Sequence, residues 1–317
     1  MKKLLVMVSA LTAGLFSAAN ADITISGSGG IGVASGSGGN STVVNGSAIS
    51  IGLSSDLGNG VVVSTSAGLS LDSDAAVTGA AAGVTGLHTF TIATGGSTIN
   101  IGADVDVAGD GVGELGSVGS DLNDLGGYGT GSVGAGLASE DGYGVGLTTA
   151  VGTATFTGSY IMDNQATPNN SAATDGTVTA SGFQVSIPMG GMTIVAGYGQ
   201  DDVAATGGTT TGVELSMALG GGTLSVGTFD TNKNLTEPDT KGYGAKYATT
   251  MGSASVSVGY RNREDTTNKR TSTVTSASVS QSIGTGASVY LDVVNYSGYA
   301  TSDDTGTNIA IGTSFTF

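Results

Sequence analysis

Six carboxylates in one glycine-rich stretch are the residues best suited to chemistry. They are Asp104, Asp106, Asp110, Glu114, Asp121 and Asp124. Carboxylate oxygens are good ligands for Ca²⁺, but the spacing of these six does not follow the EF-hand pattern, so a calcium site is a minor alternative. Two other interpretations stay open: a plain solvated acidic loop, and a constriction that lines an aqueous passage.

The rest of the chain offers little for catalysis. His88 is the only histidine, and no Ser or Cys partner for it can be located from the sequence, so we expect an interfacial position rather than a general base. Cysteine is absent, which excludes thiol catalysis and disulfides. The segment from Gly27 to Gly32 matches G-x-G-x-x-G, but no helical pattern follows it, as a dinucleotide site requires. We therefore predict that the protein is not an enzyme and carries no cofactor, the possible calcium on the acidic segment aside.

The N-terminus has the three parts of a secretory signal. Met1-Lys2-Lys3 is a charged segment, an apolar run extends from Leu4 to Phe16, and Ala19-Asn20-Ala21 is an A-x-A cleavage site. We predict a signal peptide over 1–21 and one mature domain over 22–317. The formal charge is −16, and −18 once Lys2 and Lys3 are removed, which excludes nucleic acid as a partner because phosphate binding needs clustered basic residues.

Alternation of apolar and polar residues gives the architecture. About sixteen segments show the period of two that is typical of a strand with one apolar and one polar face. Tight Gly-containing turns such as 56–60 alternate with longer polar loops, for example near 200–210, 230–240 and 262–271, and 106–138 is the longest connection. The last segment, 307–317, ends on an aromatic residue. This pattern predicts an all-β protein, a transmembrane antiparallel barrel of about sixteen strands that closes by pairing its first strand with its last.

Charges and aromatic residues are sorted in the way that a membrane barrel requires. Glu214, Lys246, Arg261 and Asp292 alternate with apolar neighbours, which predicts that all four face away from lipid. Aromatic residues on the apolar parity near strand ends predict interfacial girdles. These residues are Phe156, Tyr160, Tyr198, Tyr243, Tyr247, Tyr260, Phe315 and Phe317.

At this point the chain resembles the Gram-negative general porins, especially the alphaproteobacterial type. The segments that carry the resemblance are Asp22-Ile23-Thr24-Ile25-Ser26-Gly27, Leu57-Gly58-Asn59-Gly60, the stretch 99–106 and the terminal Phe315-Thr316-Phe317. The resemblance implies a sixteen-stranded homotrimer whose long third loop folds into the lumen, where acidic loop residues face basic residues of the wall. The six carboxylates fall in that loop. Lys246 and Arg261 are the basic wall candidates, and the arginine cluster of the family is not carried over.

These observations lead to an expected function. We predict a channel in the outer membrane of a Gram-negative bacterium for passive diffusion of small hydrophilic solutes and ions, with a preference for cations. Its expected partners are two further copies of the chain, outer-membrane lipids and the solutes themselves. The alternative is a barrel that acts as a surface scaffold or adhesin, and an outer-membrane hydrolase is a weaker third possibility.

Overall fold

The structure is a computed structural model. It describes residues 21–35, 41–72, 83–85, 89–103, 143–163, 180–201, 208–233, 239–298 and 305–316, and the statements below concern these residues. Nearly all of them lie in β-strands joined by tight turns. No helix within these ranges has the length and apolarity needed to cross a membrane.

The described residues form seventeen strand segments in one sheet. The segments are β1 (Ala21–Ser35), β2 (Ser41–Asp56), β3 (Val61–Asp72), β4 (Gly83–Thr85), β5 (Thr89–Thr94), β6 (Ser97–Ala103), β7 (Tyr143–Val151), β8 (Ala154–Asp163), β9 (Ala180–Met189), β10 (Met192–Asp201), β11 (Gly208–Leu219), β12 (Gly222–Lys233), β13 (Thr240–Met251), β14 (Ala254–Asp265), β15 (Arg270–Gly284), β16 (Ala287–Ser297) and β17 (Thr305–Thr316).

The sheet is a closed barrel of sixteen antiparallel strands. Segments β4 and β5 both pair with β3, at Ser70↔Gly83 and Val61↔Thr94, so they are two parts of one strand. Each other strand pairs with its neighbours in sequence, and β1 pairs with β17 from Ser28↔Thr316 to Ser35↔Ile309. The predicted strand number and the predicted pairing of first and last strands are confirmed. Closure matters because lipid offers no partner for the backbone groups of an open edge.

Short turns join the strands at one end of the barrel, as predicted. At the β9–β10 turn Gly190 and Gly191 have φ values of 57° and 89°, the left-handed pair that a two-residue type I′ hairpin requires. At the β2–β3 turn the Oδ1 of Asp56 accepts a hydrogen bond of 2.7 Å from the amide of Gly58. Both chain termini of the barrel lie at this end, which we call the turn end.

Longer connections join the strands at the opposite end, the loop end. Three of them are shorter than the sequence indicated: the predicted loops at 200–210, 230–240 and 262–271 are reduced because β11 begins at Gly208, β12 reaches Lys233 and β14 reaches Asp265. The added strand residues are mostly Thr and charged side chains. Threonine is β-branched and suits an extended backbone, so these polar residues continue the ladder above the apolar belt.

The two faces of the sheet differ sharply. Residues directly opposite each other on paired strands share a face, and the apolar set forms a continuous outer belt, the lipid face. Ile25 lies opposite Ile51, and Leu291 opposite Ile311, which lies opposite Val33. The aromatic residues of the predicted girdles are part of this face, with Phe156, Tyr160, Tyr243, Tyr260 and Phe315 exposed; Phe317 lies outside the described residues.

Candidate pore lining

The lumen face consists mainly of Ser, Thr, Gly and Ala. In the part of the chain that the structure describes, its side chains are buried near the loop end and accessible near the turn end. The hydroxyls of Thr210 and Thr231, both fully buried, lie 2.8 Å apart near the loop end. Small polar residues leave volume inside a barrel and tolerate water, so this face suits an aqueous lumen.

A row of four register partners crosses one wall of the lumen. Glu214 on β11 lies opposite Gly227, Gly227 opposite Gly244, and Gly244 opposite Arg261 on β14. The row therefore carries one acid and one base at its ends and two glycines between them. Glycines at these positions leave the wall flat, because they project no side chain into the lumen.

Glu214 is held by a short chain of hydroxyls. The Ser216 hydroxyl donates a hydrogen bond of 2.8 Å to Oε1 of Glu214, and Ser216 and Ser225 are 2.6 Å apart at their hydroxyl oxygens. A hydrogen bond to a carboxylate fixes its direction. This acid is thus a fixed negative group on the lumen face of β11.

The basic wall candidates lie on the neighbouring strands β13 and β14, but in different settings. Lys246 lines a cavity of about 890 Å³ at the turn end of β11–β15, together with Thr223, Ser257 and Ser278. Arg261 faces the lumen between Gly244 and Val274 but is only 1% exposed. Lys246 is therefore accessible from the lumen, whereas Arg261 is part of the packed wall.

The remaining charge of the predicted set, Asp292 on β16, also faces inward and is 2% exposed. All four charges of the predicted set, Glu214, Lys246, Arg261 and Asp292, therefore avoid the lipid face, which confirms the parity argument. A charge on the lipid face near the midplane costs up to about 2–4 kcal/mol.

Two buried aromatic side chains of the lumen face were missed by the sequence reasoning. Phe229, 2% exposed, lies over Gly242 of the adjacent strand, where an added β-carbon would be 2.7 Å from its ring. Tyr290, 6% exposed, extends over Gly312 and Gly32. Their signal was an aromatic residue on the polar parity, with glycines on the neighbouring strands to receive it.

The six acidic residues predicted as a constriction lie outside the described residues. The structure has β6 ending at Ala103 and β7 beginning at Tyr143, and Asp104, Asp106, Asp110, Glu114, Asp121 and Asp124 fall between them. Their role in a constriction and the calcium alternative stay predictions. His88 also falls outside. Within the described ranges no three His, Cys, Asp or Glu side chains form a group that could hold a metal ion.

Comparison with known families decides what this barrel is. The family model described as Gram-negative porin matches residues 5–304. The chain belongs to the Gram-negative porin family. This porin is accordingly an outer-membrane channel of a Gram-negative bacterium, and the family and fold indicate a channel rather than an enzyme. No curated protein matches the chain.

Solved structures share the fold of this porin at low sequence identity. A loop-deletion mutant of the Vibrio cholerae outer membrane protein OmpT aligns with a TM-score of 0.73 and 14% identity over 94% of this chain and 99% of that one. An anion-selective porin from Comamonas acidovorans aligns with a TM-score of 0.68 and 14% identity, over 94% of this chain and 100% of that one. A mutant of the Rh. blastica porin aligns with a TM-score of 0.65 and 17% identity, over 93% of this chain and 100% of that one.

Proposed function

We propose that this porin is a water-filled channel for passive diffusion of small hydrophilic solutes and ions, and that it prefers cations. The observation that carries the proposal is the lumen face itself: it is polar, it holds the charged side chains Glu214 and Lys246, and it opens at the turn end into a cavity of about 890 Å³. Backbone closure seals the barrel against lipid while the polar interior admits water.

The distribution of charge supports the cation preference. Lys2 and Lys3 aside, every Lys and Arg of the chain lies between Lys233 and Arg270, on the wall formed by β12–β15. The acidic residues are spread along the whole chain, with six from Asp104 to Asp124. An acidic segment in a narrow aqueous passage with low-dielectric walls raises the local concentration of cations.

The fold alone does not decide the sign of selectivity, since one of the similar structures is an anion-selective porin. Side-chain charge must therefore decide it. At about 0.15 M salt the screening length is roughly 8 Å, comparable to a pore radius, so the preference should be moderate and should weaken as salt rises.

The reversal potential in a KCl gradient tests this preference. Replacement of Asp110, Glu114, Asp121 and Asp124 by Asn or Gln should move the reversal potential toward zero. The matched control neutralises Asp230 and Glu264. Both residues lie opposite Lys241, on the strands to either side of it, and all three are on the lipid face. It should leave the potential unchanged. An anion-selective native channel, or no shift in the loop variant, would contradict the proposal.

We further propose that the porin assembles as a homotrimer. One similar structure, OmpT of Vibrio cholerae, is described as a trimer form. Small residues on the lipid face of the early strands, such as Ala67, would allow a second barrel to approach closely. Crosslinking in mild detergent should yield a trimer, and monomer alone would count against it.

A further inference from the structure

Asp292 is a buried carboxylate with no basic residue on the described strands beside it. It lies near the middle of β16 and is 2% exposed, and neither of its carboxylate oxygens has a hydrogen-bond partner among the described residues. An isolated carboxylate buried in this way is strongly disfavoured unless something neutralises it. The question is what supplies the positive charge.

The strands around Asp292 supply no positive charge. Its register partners are Ser278 on β15 and Ala310 on β17, and Ala310 lies opposite Ala34 on β1. No other Asp, Glu, Lys, Arg or His occurs in 272–297, in β17 or in 28–35. The nearest basic residues of the lumen face are Lys246 on β13 and Arg261 on β14.

The strand register keeps Lys246 and Arg261 distant from Asp292. Arg261 is level with Val274, which is four residues along β15 from Ser278. Four residues of a strand span about 13 Å. Lys246 is on β13, three strands from β16, and strands lie about 4.8 Å apart. The long connection between β6 and β7 contains no Lys, Arg or His at all.

The polar groups beside Asp292 in the described strands are neutral. Tyr290 lies two residues away on the same face of β16, but its hydroxyl lies over Gly312 and Gly32, on the β17–β1 side. Ser278 faces Asp292 across the strand pair and Ser280 faces Tyr290. Both serines line the cavity of about 890 Å³, so the site adjoins the aqueous lumen.

We propose that Asp292 binds a monovalent metal cation at the lumen wall, with the Ser278 hydroxyl as a neutral oxygen ligand. Oxygen ligands suit hard cations. One carboxylate and one monovalent ion form a neutral pair, which is the arrangement of least cost in a buried site, whereas a divalent ion would leave a net positive charge. Neither Asp292 nor Ser278 belongs to the acidic segment between β6 and β7, so the proposal does not depend on where that segment lies.

Ion-dependent stability tests the site directly, because a ligand that binds only the folded state stabilises it. Thermal unfolding of the detergent-solubilised barrel would be compared in KCl and in tetramethylammonium chloride at equal ionic strength. The native protein should unfold at a higher temperature in KCl, with an effect that saturates with potassium concentration. Asp292→Asn should lose this difference. Glu214→Gln, which neutralises the hydroxyl-bonded carboxylate on β11, should retain it.

Each other outcome overturns the proposal. Equal unfolding temperatures of the native barrel in the two salts, or a potassium effect that persists in Asp292→Asn, exclude the site. Stabilisation of the native protein by acid instead of potassium would mean that Asp292 carries a proton. Greater stabilisation by CaCl₂ at equal ionic strength, lost in Asp292→Asn, would assign a divalent ion.

A second measurement compares the same two proteins. The ²³Na resonance should broaden more on addition of the native barrel than of Asp292→Asn, and KCl should reverse the difference; equal broadening by the two proteins contradicts the site. These readouts are separate from channel selectivity. An anion-selective channel would contradict the proposed function and would leave the potassium dependence in place.

Discussion

The hydroxyl of Tyr290 occupies the space above Gly312 where any larger residue would place its side chain. The ring reaches from β16 across β17 to β1, where a β-carbon on Gly32 would be 2.6 Å from the same hydroxyl oxygen. Gly312 and Gly32 are themselves register partners. One aromatic side chain therefore covers the lumen side of the pairing between the first and last strands, at the position where the barrel closes.

Substitution of Gly312 should reveal this arrangement. Gly312→Ala forces the Tyr290 ring out of its position, and overpacking of this kind costs about 1–3 kcal/mol of folding free energy. Gly284→Ala is the matched control, because an added β-carbon there meets no atom within 4 Å. Urea unfolding from detergent measures both. If Tyr290→Ala is combined with Gly312→Ala, the cost of the glycine substitution should fall, since the two residues are coupled. Additive effects would contradict the contact.

A charge on the lipid face should cost more than the same charge on the lumen face. Leu291 lies at the middle of β16 and is exposed on the outer belt, so Leu291→Lys should destabilise the barrel in lipid by about 2–4 kcal/mol. Ser257→Lys, on the cavity-lining side of β14, is the control and should cost much less. Folding yield into vesicles of defined composition reports the difference. Equal costs would mean that the two faces have been assigned wrongly.

Lys246 should oppose cation flow. It lines the accessible cavity, so Lys246→Gln should increase the preference for K⁺ over Cl⁻ in a salt gradient, and the increase should be larger at low ionic strength. Lys241 provides a matched control. It forms an ion pair with Glu264 at 3.4 Å on the opposite face of the same strand, and Lys241→Gln should leave the reversal potential unchanged. Equal responses in the two variants would place Lys246 outside the conducting path.

Asp265 should stabilise the tight connection between β14 and β15 in a pH-dependent way. Partial burial opposes ionisation, but hydrogen bonds of 2.8 Å from the amide and the side chain of Asn268 outweigh it and hold the pKa of Asp265 below its ordinary value. A carboxyl with a lowered pKa in the folded state contributes stability at neutral pH, and that stability is lost as the pH falls through the folded-state pKa.

Hydrogen exchange of the segment 266–269 checks this expectation. Asp265→Asn should speed exchange at neutral pH, and the ratio of variant to native rates should approach one in strong acid, where native Asp265 is protonated. Glu264→Gln removes the neighbouring carboxylate and should have little effect on this turn. A ratio that does not change with pH would show that the carboxylate does not hold the turn.

Sequence reasoning predicted the barrel because its signals are local. Period-two alternation, glycine pairs at turns and the inward parity of Glu214 and Asp292 are all readable along one strand. The contacts of Tyr290 with Gly312 and Gly32 are not, because they depend on the register among three strands that are far apart in the chain. The same limit applies to Phe229 and Gly242. Loop bounds were also too wide, since Thr-rich strand ends look like loops when composition alone is considered.

The isolation of Asp292 illustrates the limit most clearly. Its inward direction follows from parity, but its lack of a counter-charge emerges only when the register places Ser278 and Ala310 beside it and keeps Arg261 four residues away along β15. Electrostatic surroundings in a closed sheet are set by neighbours across strands, which no single segment of sequence reveals.

Single-channel recording in a planar lipid bilayer is the most direct test of the central claim that this barrel conducts. The purified protein should produce stable, long-lived conductance steps in KCl that scale with salt concentration, since ions move through water inside a polar lumen. In a trimer these steps should close in groups of three. A bilayer that stays sealed after verified insertion of the folded barrel would contradict the account and favour a surface scaffold.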